Sequence, residues 1–70
     1  MPAVMDLGEG LSTCLVTDLS HRGARLRVSP TKPLPQNFAL RLSRSGTTHM
    51  VELRWRRDDE AGVEFRSPIQ

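Results

Sequence analysis

From Ala24 the chain reads Ala-Arg-Leu-Arg-Val-Ser, with an apolar side chain at every second place. A strand turns successive side chains to opposite faces, so a period of two marks a half-buried strand. The pattern predicts one over Ala24–Ser29, with Ala24, Leu26 and Val28 inward and Arg25 and Arg27 outward. It predicts another over Asn37–Ser43, with Phe38, Leu40 and Leu42 inward and Arg41 outward. Thr48–Arg57 follows, with Val51, Leu53 and Trp55 on the inner face and Met50, Glu52, Arg54 and Arg56 on the other. Gly62–Phe65 closes the series with Val63 and Phe65 inward, and Ala3–Leu7 reads as a short first strand. Leu11–Leu19 is less regular: Asp18 would continue the face of Cys14 and Val16, yet the apolar residue is Leu19. A bulge or strand end at Thr17–Asp18 reconciles the two. The expected core includes Val16, Leu26, Leu40, Leu53, Trp55 and Phe65.

Turn signals punctuate these segments. Gly8-Glu9-Gly10, Ser43-Arg44-Ser45-Gly46-Thr47 and Asp58-Asp59-Glu60-Ala61 read as turns, and Pro30-Thr31-Lys32-Pro33-Leu34-Pro35 as a loop, because proline offers no amide to a sheet. No window has a helical period. Six short alternating segments argue for an all-β fold, a small antiparallel barrel forming a single domain over residues 1–70. A chain of this length buries only about 60% of its unfolded surface, and its aromatic residues are Phe38, Trp55 and Phe65 alone. Self-association or low thermal stability is therefore expected, with a partner, a second copy or a missing segment completing the core.

Composition narrows function mainly by exclusion. No run approaches the about 20 apolar residues of a membrane span, and none reads as a signal peptide, so a cytoplasmic protein without membrane insertion is expected. The single cysteine, Cys14, excludes an internal disulfide and reads as a reduced core residue. His21 and His49 lie in different segments with no acid or thiol at a telling spacing, and Asp58-Asp59-Glu60 sits at a hairpin tip. Neither arrangement offers a nucleophile with its base or a metal-ligand set, so no enzyme and no metal or cofactor is expected. The formal charge is +2 and nine of the ten basic residues are Arg, whose planar fork suits phosphate, guanine edges and carboxylate.

The remaining chemistry is concentrated in Asp18-Leu19-Ser20-His21-Arg22-Gly23-Ala24. Asp and Ser can hold a turn through nearby amides, and Gly can take a positive φ, while the same residues can present a carboxylate and a hydroxyl outward. Asp18-x-Ser20-x-x-Gly23, followed by an alternating strand, resembles the second signature of the PilZ domain family. The likeness extends through Leu53-Arg54-Trp55-Arg56-Arg57 and an acidic turn to Gly62-Val63-Glu64-Phe65, and spans residues 11–66. It implies a six-stranded antiparallel PilZ-like barrel that receives the bacterial second messenger cyclic di-GMP, with Asp18, Ser20 and Gly23 at the ligand. Many members carry a helix after the last strand, which this chain is expected to lack, and its N-terminal end could be cut short. The family's other motif, Arg-x-x-x-Arg before the first strand, has no counterpart, since no two arginines stand four apart.

A carboxylate at Asp18 suits the N1/N2 donors of guanine, and arginine forks suit phosphate and the O6/N7 edge. Arg22 and Arg25, beside the signature, are the candidates to replace part of the missing pair, Arg22 the better of the two because it lies inside the turn, with His21 available to stack on a base. Each charge-assisted hydrogen bond contributes about 1.5–3 kcal/mol, so binding without the pair is expected to be weak. Two other readings stand beside this one. A protein partner could dock on open strand edges near Ala3–Leu7 and the proline-rich loop, with the domain acting as an adaptor. Single-stranded nucleic acid fits less well, because it needs exposed aromatic side chains and all three aromatics alternate inward.

Overall fold

A computed structural model describes residues 1–66 of the chain; the expected absence of a closing helix falls on residues 67–70, outside the described part. Six strands form: β1 (Pro2–Asp6), β2 (Leu11–Leu19), β3 (Gly23–Arg27), β4 (Asn37–Leu42), β5 (Thr48–Arg57) and β6 (Glu60–Phe65). Every pairing is antiparallel, and the sheet closes on itself in the order β1-β2-β3-β6-β5-β4. Closure corrects one expectation. β1 is paired on both sides, with Ala3 opposite Cys14 of β2 and Leu42 of β4, so no open edge exists near Ala3–Leu7 for a partner to extend.

The period of two holds wherever the ladder is regular. Met5, Leu26, Leu40 and Val51 are fully buried, with Val16, Phe38, Val63 and Phe65 around them. Leu53 is half-buried at the margin of this core. His49 continues the inner face of β5, packs its ring 5.0 Å from that of Phe65, and hydrogen-bonds through Nε2 to Thr47 Oγ1 at 3.1 Å. The amide of Val28, just past β3, donates to the Asp59 carbonyl at 2.8 Å and keeps its side chain in the core.

Two register shifts interrupt the ladder. One lies between Val16 and Asp18 in β2, where the sequence asks for it. The other lies between Leu53 and Trp55 in β5 and overturns an expectation. One extra residue reverses the alternation beyond it, so Trp55 turns to the outer surface, 44% exposed, instead of joining the core. The same reversal takes Arg56 off the solvent face. Its guanidinium donates to the carbonyls of Lys32 (2.7 Å) and Ser29 (2.8 Å) and, through Nε, to that of Asp58 (3.2 Å). These bonds tie the proline-rich loop across one end of the barrel.

Candidate functional site

The turn between β2 and β3 is built by Ser20. Its amide donates to the Gly23 carbonyl at 2.9 Å. Its hydroxyl contacts the same carbonyl and accepts from the amides of Arg22 and Gly23, each at 3.3 Å. One donor and two acceptors exhaust a hydroxyl, so Ser20 is committed to the turn. Asp18 shares none of this work: among the described residues its carboxylate makes no hydrogen bond and no ion pair. The sequence allowed either side chain to hold the turn, and the fold gives that task to Ser20 alone.

Gly23 is needed for a reason other than the expected one. Its φ is not positive. A Cβ there would instead run into the carbonyl oxygen of Val63, because β3 lies closely against β6 at the Gly23–Glu64 pair. The turn is anchored at the same place by the Phe65 amide, which donates to the Arg22 carbonyl at 2.7 Å.

Beyond the turn, one row of residues crosses the outer face of four strands. Asp18 of β2 stands opposite Arg25 of β3, Arg25 opposite Gly62 of β6, and Gly62 opposite Trp55 of β5. Gly62 is the low point of that row, and the indole lies over it, since a Cβ at Gly62 would collide with indole Nε1. An open cleft of about 190 Å³ results, lined by Asp18, Leu19, Ser20, Gly23, Ala24, Arg25 and Trp55. Arg25 forms no ion pair among the described residues, although an acid stands directly across from it. A flat aromatic face, a free carboxylate and a free guanidinium thus surround a space the size of one nucleobase.

Of the five candidate residues, Asp18, Ser20, Gly23 and Arg25 meet at this cleft, while Arg22 and the neighbouring His21 are exposed on the turn and do not line it. Trp55 is the member the alternation pattern missed. The available sign was Gly62, since a glycine inside a strand marks a bulge or a close approach.

Next to the cleft is a charge ladder. Glu52 and Glu64 stand directly opposite each other, and Arg54 reaches both, at 3.6 and 3.9 Å, while Arg66 reaches Glu52 at 3.7 Å. These arginines are already engaged with carboxylates. Elsewhere, burial pushes the Cys14 thiol up to about 11, with the N-terminal ammonium opposing the shift. No three His, Cys, Asp or Glu side chains among the described residues are grouped to hold a metal ion.

In comparison with known proteins, the family model described as PilZ domain matches residues 1–70. No curated protein and no solved structure gave a match.

Proposed function

Because this chain belongs to the PilZ domain family, a family of cyclic di-GMP-related signalling modules, we propose that it receives cyclic di-GMP weakly at the Asp18–Trp55 cleft and relays the event to a protein partner in the cytoplasm. The observation that carries the proposal is the pairing of an uncommitted Asp18 with an uncommitted Arg25 beside an exposed indole. One guanine stacks on Trp55, its N1 and N2 donors reach the Asp18 carboxylate, and Arg25 meets O6/N7 or a phosphate oxygen. Arg22 extends from the turn towards the second phosphate. Ser20 and Gly23 act by shaping the turn rather than by direct contact.

Weak affinity follows from size and exposure. Pockets that hold small molecules firmly enclose about 300–1,000 Å³, against the 190 Å³ of this open cleft. Exposed arginine–phosphate contacts are also screened by salt. Dissociation constants in the high micromolar range or above are expected, rising with ionic strength.

The outward turn of Trp55 favours a second reading, single-stranded nucleic acid stacking on the same indole. Arg54 and Arg66 are held by Glu52 and Glu64 beside it, and those carboxylates repel a continuous phosphate backbone. Trp55 is the sole tryptophan, so its fluorescence reports on the cleft directly. Titrating the protein with cyclic di-GMP and with a short oligonucleotide, by fluorescence and calorimetry, tests both readings. Saturable binding of the dinucleotide, weakened by Asp18→Ala, is expected. Equal quenching by the oligonucleotide, unaffected by Asp18→Ala, would favour the second.

A further inference from the structure

On the opposite side of the barrel from the cleft, the outer surface of β2, β1, β4 and β5 mixes exposed apolar side chains with polar and charged ones. Register places Leu11, Asp6, Ala39 and Met50 in one row and Thr13, Val4, Arg41 and Thr48 in the next. Leu11 is 72% exposed, Met50 50% and Leu15 48%. Between Leu11 and Arg41 lies a groove of about 410 Å³ floored by Val4 and Ala39. Exposed leucines scattered singly mean little, but a ridge beside a groove on one continuous face marks an interaction surface.

We propose that this face is the interface of a two-fold dimer, with a second copy of this chain as its occupant. A two-fold interface brings one patch against itself, so the patch must contain its own complement. Leu11 supplies a knob, and Val4, one strand away, and Ala39, two strands away, supply the hole for the Leu11 of the second copy. The charges are complementary in the same sense. Asp6 and Arg41 sit on this face, and neither forms an ion pair among the described residues. A strongly acidic or basic partner would satisfy one and leave the other unpaired, whereas a second copy satisfies both.

The available area is adequate. A standard interface covers about 800 Å² on each partner, a sixth of the 4794 Å² surface, and the barrel's long side measures 34 × 21 Å. In the closed ring, β1 and β4 lie across from β6 and β3. The dimer therefore leaves the cleft open, and the inference stands independently of the nucleotide reading.

Sedimentation velocity from low to high micromolar protein tests it. A monomer–dimer equilibrium is expected, and Leu11→Glu, at an exposed position outside the core, should weaken association by roughly tenfold or more, or 1.4 kcal/mol. Asp6→Arg and Arg41→Asp should each be monomeric alone and form a heterodimer when mixed. Asp6 also accepts the Gly8 amide at 3.1 Å, so near-ultraviolet circular dichroism checks that the Asp6 variant is folded, and Leu11→Glu decides the matter if it is not. A monomer at every concentration, or association unchanged by Leu11→Glu, overturns the proposal.

Discussion

The indole of Trp55 lies over the Cα of Gly62, in the space a Cβ would fill, at a directly opposed pair of β5 and β6. Each residue explains the other: the glycine gives the ring a flat bed, and the ring covers a strand position that has no side chain. Gly62→Ala should therefore displace the indole, red-shift its emission and destabilise the fold by about 1–3 kcal/mol, the usual cost of overpacking. In the Trp55→Ala background the same change should cost little. A double-mutant cycle by chemical denaturation measures the coupling, and additive effects would contradict the stacked arrangement.

Asp18 and Ser20, adjacent in the family signature, should separate cleanly on mutation. Asp18 has no hydrogen-bond or ion-pair partner among the described residues, so Asp18→Ala should change stability by no more than about 0.5 kcal/mol while weakening nucleotide binding. Ser20→Ala removes the hydroxyl that organises the turn and should cost about 1 kcal/mol, with binding lost as a consequence. Thermal melts paired with calorimetric titration of both variants give the two readouts. A large stability loss in Asp18→Ala would return that residue to a structural role.

Strands β2 and β5 could be read to their terminal residues because turn residues bound each of them. The inner face of β5 could be followed only to Leu53. Beyond it the run Arg54-Trp55-Arg56-Arg57 contains a single apolar residue, which cannot reveal that the phase has slipped by one. The bulge in β2 was legible because Asp18 and Leu19 visibly conflict with the phase set by Cys14 and Val16. Which of Asp18 and Ser20 would hold the turn could not be read, since both side chains can accept from backbone amides and only the turn's dihedral angles choose. Nor could the role of Arg56, two of whose acceptors lie 24 and 27 residues away and come within reach only when the barrel closes.

That clamp is testable. Arg56→Ala should destabilise the protein by about 1.5–3 kcal/mol, as expected for charge-assisted bonds, and should speed proteolysis within Pro30–Pro35. Arg56→Lys should rescue little, because a point charge cannot span two carbonyls in a fork. Affinity at the cleft should not change. Denaturation curves and limited proteolysis read the two effects.

Cys14 carries an alkaline signature. Burial raises its pKa from 9.0 to about 11. The unfolded thiol ionises first, so the stabilisation is complete below pH 9 and is lost as pH rises through 11. With no Tyr and a single Lys in the chain, few other groups titrate in that window. The melting temperature should fall between these limits, and Cys14→Val should flatten the fall. An identical decline in the variant would assign it elsewhere.

The N-terminal strand points to the strongest test of the nucleotide reading. Met1 pairs with Val16: its ammonium donates to the Val16 carbonyl at 3.1 Å, and the Val16 amide donates to the Met1 carbonyl at 2.6 Å. Residues added ahead of Met1 would continue β1 along β2, past Thr17 and towards Asp18, and so would deliver side chains to the rim of the cleft. A segment carrying Arg-x-x-x-Arg placed there should tighten cyclic di-GMP binding by at least about tenfold, since one charge-assisted bond contributes about 1.5–3 kcal/mol and 1.4 kcal/mol is a decade. The gain should shrink at high salt, where exposed arginine–phosphate contacts are screened. Adding Asp18→Ala should erase it if the carboxylate faces the ligand. The informative comparison is calorimetric, across the chain as written, the extended chain, and each with Asp18→Ala. Submicromolar binding by the unextended chain would show that Arg22, Arg25 and Trp55 suffice without the motif. No binding by the extended chain would remove cyclic di-GMP from this cleft and leave the protein partner as the route by which the domain acts.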